Sequence, residues 1–89
     1  MNYSGQLPQT IEQAVNVLLE QIPAGEKHQI AAMSRDDLIT LHFGLGTQIR
    51  NDFGLWGGNT ALLESTGNIH PDDAAMAIVK ALWHRLNSA

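Results

Sequence analysis

The chain contains no cysteine. That absence removes disulfides, thiolate metal sites and thiol nucleophiles together, so cohesion must come from packing and hydrogen bonds. Positive charge is also scarce: five Lys and Arg against nine Asp and Glu leave a net charge of -4 and a pI near 5.3. Phosphate recognition needs clustered basic side chains, whereas Lys27, Lys80, Arg35, Arg50 and Arg85 are scattered along the chain. Neither nucleic acid nor an anionic membrane is therefore an expected partner. No apolar run approaches the roughly 20 residues of a membrane span. Met1 to Thr10 has neither a basic start nor an apolar stretch, and we read the protein as cytoplasmic. With 44% apolar and 16% charged residues the composition is that of a folding chain and not of a disordered tail. Its 89 residues leave room for one domain. There is no repeat, low-complexity tract or linker, so residues 1–89 read as a single helical domain with 1–9 as a flexible arm.

What is present is helical period. Thr10 and Gln13 have the spacing of a capping box, and Ile11, Ala14, Val15, Leu18, Leu19 and Ile22 follow on one face, before Pro23 and Gly25 end the helix. Residues 26–33 are weakly periodic, either a short helix or an irregular strap carrying Ile30 and Met33 inward. Ser34 caps the next helix, which has Asp36 and Asp37 in its first turn and runs from about Arg35 to Asn51. The stretch Phe53 to Asn59 mixes three glycines with Phe53, Leu55 and Trp56. It reads as a loop packed on the core; exposure of its aromatics as a partner anchor is the alternative. Asn59 or Thr60 starts a short helix ended by Gly67. The last helix opens at His70-Pro71-Asp72-Asp73 and runs to about Asn87, with Ala74, Ala75, Ile78, Val79, Leu82 and Leu86 inward and Trp83 at the edge, under the same loop. No window alternates with period two over a strand's length. The expectation is an all-α bundle of four to five helices.

The central helix carries the chemistry of interest. At about 100° per residue, His42 falls about 40° from Leu38, inside the arc of Leu38, Leu41, Leu45 and Ile49. Gly46 and Arg50 follow it at one-turn steps, so the edge reads imidazole, no side chain, guanidinium. Glycine within a helix costs about 0.5–1 kcal/mol relative to alanine, and both Gly44 and Gly46 lie in this one. Two offsets are open: close approach of a neighbouring backbone, or a ligand lodged over Gly46. An inward Arg50 needs an acceptor, and Asp72 at the start of the last helix is the candidate, unless Asp72 only caps that helix. Asn51 and Trp56 would complete the lining of such a notch, which suits a small anion or a partner's carboxylate.

Other chemistries find little material. Without cysteine, a metal would have to use His42, His70, Asp52, Asp72 or Asp73; there is no His-Glu-x-x-His, and Pro71 separates His70 from Asp72, so we assign no metal and no other cofactor. Ser4, Ser34, Ser65 and Ser88 lie at termini, caps or loops with no turn motif presenting one to a base. Gly44-Leu45-Gly46 lacks the third glycine of a dinucleotide loop, and Asp52-Phe53-Gly54 spells a kinase motif in a chain far too short for a kinase.

The run Leu41-His42-Phe43-Gly44-Leu45-Gly46-Thr47-Gln48-Ile49-Arg50-Asn51, with Phe53-Gly54-Leu55-Trp56 and later His70-Pro71-Asp72-Asp73, resembles a family of small bacterial domains of unknown function. The resemblance extends from about Ile11 to Leu86. It implies that His42, Arg50, Asn51, Trp56 and Asp72 are the positions to examine, and it implies no reaction. That family often has serine near the place of Ala75, so a role requiring that hydroxyl is missing here.

Together these readings point to a non-enzymatic binding or regulatory module with a protein partner or a small anionic ligand. An acidic inhibitor or immunity-type protein that masks a basic partner is the first alternative. A metal-assisted hydrolase near His42 and His70 is the second.

Overall fold

A computed structural model describes residues 7–88. Helix α1 spans Ile11–Gln21, and its start is fastened as the sequence implies, with the Gln13 amide donating to Thr10 Oγ1 at 3.1 Å. The other half of the expected capping box differs. Gln13 Oε1 accepts from the Gln9 amide at 2.8 Å, drawing the preceding chain onto the helix. Ala14, Val15 and Leu18 turn inward, and Ile22 closes the helix in extended backbone ahead of Pro23. The arm expected over residues 1–9 lies outside the described residues up to position 6. Its remainder is anchored, since Pro8 is buried and its carbonyl accepts from Asn59 Nδ2 at 2.8 Å.

Residues 26–33 belong to a true helix, α2 at Ala24–Ala32, which starts directly after Pro23. It buries Ile30, and Lys27 Nζ reaches back to the Leu19 carbonyl at 2.9 Å. After Met33 the Asp37 amide donates to Ser34 Oγ at 3.2 Å, as a cap should, and the central helix begins.

That central helix is continuous from Asp36 to Asp52 but not uniform. It is wound as a 3₁₀ helix over Asp36–Leu41, as a π helix over His42–Gly46 and as an α helix, α3, over Thr47–Asp52. The 3₁₀ segment overwinds to about 120° per residue and the π turn underwinds, so the two departures offset each other. Leu38 and Ile49 both end fully buried, with Leu41 and Leu45 packed between them, and the apolar stripe stays in line across a helix of mixed winding.

The loop after it obeys only part of its expectation. Gly54 at φ 72° turns the chain so that Phe53 and Leu55 are both buried. Trp56, the next residue out of that turn, is exposed. Asn59 fastens the loop by donating to the Phe53 and Pro8 carbonyls, and its Oδ1 caps the short helix α4, Thr60–Ser65, by accepting from the Leu62 amide.

Helix α5, Pro71–Asn87, is the hub: α1, α2 and all three segments of the central helix pack against it. Its Ala74, Ala75, Ile78, Val79 and Leu82 are buried in one continuous cluster with Leu18, Ile30, Leu38, Ile49, Phe53 and Leu62. The buried Ala75 leaves no hydroxyl at that point. Trp83 does not lie under the loop; its indole N–H donates to the Met33 carbonyl at 2.9 Å and joins α5 to the end of α2. Among the described residues there is no strand, and the architecture is all-α with five α-helices.

Candidate functional site

His42, Gly46 and Arg50 lie along one edge of the central helix where it meets the start of α5, and the π turn is the segment that joins the first two. Thr47, one residue into α3, is the local organiser. Its hydroxyl donates to the His42 carbonyl at 3.4 Å and accepts from Arg50 Nη2 at 2.8 Å. Arg50 Nε faces Asp72 Oδ1 at 3.2 Å, so the anticipated tie between the central helix and α5 is present. The Arg50 side chain is only 11% exposed and that of Asp72 is 39% exposed. Burying a guanidinium this deep is costly unless a carboxylate and hydrogen-bond acceptors stand beside it.

This geometry fills the notch from within. A Cβ placed on Gly46 would lie 3.5 Å from Arg50 Nη1, 3.8 Å from Met76 Sδ and 3.4 Å from the Leu41 carbonyl oxygen. The space that sequence reading left to a neighbouring backbone or to a ligand is taken by the guanidinium itself and by a methionine of α5. Two buried polar atoms at this edge have no partner, His42 Nδ1 and Arg50 Nη1. His42 is half-buried at the side of the core and not at its middle, and its ring meets Phe43 edge-on at 4.9 Å.

The remaining expected residues do not converge on the notch. Asn51 is exposed. Trp56 stands 61% exposed with its ring 6.0 Å from that of His70 and nearly perpendicular to it, so the expectation of core burial fails for this residue while holding for Phe53 and Leu55. His70 supplies the cap of α5, its Nδ1 accepting from the Asp72 amide at 3.2 Å. Asp72 is thereby free to face Arg50. Among the described residues no three His, Asp or Glu side chains form a group able to hold a metal.

Sequence reasoning missed a set of exposed apolar side chains. Phe43 is 86% exposed, Ile39 63% and Ile69 93%, and they join Trp56 in projecting from the surface. Ile39 and Phe43 both project from the central helix, one from its 3₁₀ segment and one from its π turn. The signal was available: at about 100° per residue Phe43 falls about 140° from Leu38, well outside the apolar arc.

The chain matches the family described as Domain of unknown function (DUF6794) over residues 7–86, and it belongs to that family. Neither the curated proteins nor the solved structures contain a match.

Proposed function

We propose that this member of the family is a cytoplasmic, non-enzymatic binding module that engages a protein partner through the apolar side chains presented by its central helix and glycine loop. The observation that carries this reading is the exposure of Phe43 and Trp56. An isolated surface leucine calls for no explanation, but Trp and Phe supply large contact area at low conformational cost and concentrate at interface hot spots. Here two of the five aromatic residues of the chain project outward while Phe53 and Trp83 are packed. Arg50, Asp72, Thr47 and Gly46 act in this reading as positioning residues. By clamping the central helix to the start of α5, they fix the helix that bears Phe43. Because the chain has no cysteine, a photoreactive side chain can be placed at residue 43, 56 or 64 without competing thiol chemistry. Illumination in the native cell is expected to give discrete adducts from positions 43 and 56 and none from exposed Glu64. Equal labelling from all three positions would overturn the reading.

A second reading, a small anion held by Arg50, is favoured by one observation only, the unpartnered Nη1. Phosphate titration followed at the Arg50 side-chain NMR signals tests it. Unmoved signals at millimolar phosphate would end it, since Asp72 then satisfies the guanidinium by itself.

A further inference from the structure

We propose that the groove between α2 and the central helix receives an amphipathic helix of a partner protein that carries lysine or arginine beside its apolar ridge. The inference rests on the binding-module reading and assigns that module a seat and a partner chemistry. The groove encloses 440 Å³. Its two walls have the same spacing, with positions 26, 29 and 30 on α2 and 33 just past its end, and 41, 44, 45 and 48 on the central helix. Each is an i, i+3, i+4, i+7 stripe. Two such stripes side by side are what a third helix packs onto in a bundle. The apolar lining, Ile30, Met33, Leu41 and Leu45, continues the buried core outward to the surface.

Gly44 gives an independent reason to expect close approach. No atom lies within 4 Å of the position its Cβ would take, and its backbone is not in the left-handed region. Nothing among the described residues therefore requires glycine there, although glycine costs this helix about 0.5–1 kcal/mol against alanine. A partner backbone lying against the groove wall does require it.

Charge selects the partner. Glu26 stands on the α2 wall, and Asp52 lies one α-helical turn beyond Gln48; both are exposed, and among the described residues neither is in an ion pair. No Lys or Arg lines the groove, and Lys27 is turned back to the Leu19 carbonyl. A second copy of this acidic chain would bring carboxylate against carboxylate, whereas a basic amphipathic helix pairs with both.

The test is an NMR titration of the full ¹⁵N-labelled chain with a synthetic peptide of about 18 residues, long enough for about five helical turns, with leucine at ridge positions and lysine elsewhere. The controls are a peptide of the same composition in scrambled order and one with glutamate for lysine. Shifts are expected to concentrate in residues 26–33 and 41–48. Affinity is expected to fall about tenfold or more in Gly44→Leu, whose side chain enters open space and leaves the circular dichroism spectrum unchanged, and severalfold in the Glu26→Gln, Asp52→Asn double variant. Equal affinity of Gly44→Leu, equal binding of either control peptide, or no binding of the ridge peptide would overturn the groove proposal. So would self-association of the protein with shifts in the same residues. Shifts centred on Trp56 and Ile69 would overturn the groove while leaving the wider binding-module reading intact. Absence of selective photo-adducts at 43 and 56 is the separate result that removes that reading.

Discussion

The Arg50–Asp72 pair should respond unequally to loss of its two members. Asp72→Ala strips the only counter-charge from a guanidinium that is 11% exposed, and leaves Nε as well as Nη1 without an acceptor. An unpaired buried charge costs more than an unpaired neutral group, so the loss should be about 2–3 kcal/mol. Arg50→Met keeps an apolar stem over Gly46 beside Met76 and gives up the bond to Thr47. The carboxylate it abandons is 39% exposed and rehydrates, so about 1 kcal/mol is the expected cost. Once Asp72 is gone, removing Arg50 relieves a buried charge, and the double variant should be no worse than Asp72→Ala alone. Thermal and urea melts of the four proteins complete the cycle, at about 4–8 °C per kcal/mol for a domain of this size. Strict additivity of the two single losses, or a larger loss for Arg50→Met than for Asp72→Ala, would refute the argument that the guanidinium is the buried partner.

Gly44→Ala should raise stability by about 0.5–1 kcal/mol in the same melts, because its Cβ meets open space on a helical backbone. Gly54→Ala should lower it by more than about 1 kcal/mol, since φ 72° strains any L side chain and the new Cβ would fall 2.7 Å from Leu7 Cδ1. Asn59→Ala removes the α4 cap and two bonds to the Phe53 and Pro8 carbonyls, for an expected loss of about 2 kcal/mol. In Trp83→Phe the remaining Trp56 should emit as a solvent-exposed indole and be readily quenched by iodide; a blue-shifted, protected emission would contradict its outward placement.

Period and punctuation made most of the fold legible. Thr10, Ser34, Asn59 and the His70-Pro71 pair each start a helix where they stand, because capping is a local contest between side chain and backbone. The Arg50–Asp72 tie was legible for a different reason, since an inward arginine demands an acid and few were within reach. What escaped was the winding of the central helix. A uniform 100° step cannot anticipate a 3₁₀ segment followed by a π turn, and His42, read as inward, is half-buried. Nor does composition tell which of three neighbouring large side chains a glycine turn will tuck under: Gly54 sends Phe53 and Leu55 inward and Trp56 out. The notch over Gly46 looked empty because sequence shows a missing side chain but not the arginine one turn later that folds across it.

The central claim is that the outward aromatics serve a partner and not the fold. It is tested most directly by co-purification from the native cell with wild-type chain and with the Phe43→Ser, Trp56→Ser double variant, held at equal abundance and shown to melt within about 2 °C of each other. A discrete set of proteins is expected to accompany the wild type and to be lost from the variant. The same proteins recovered with both chains would contradict it.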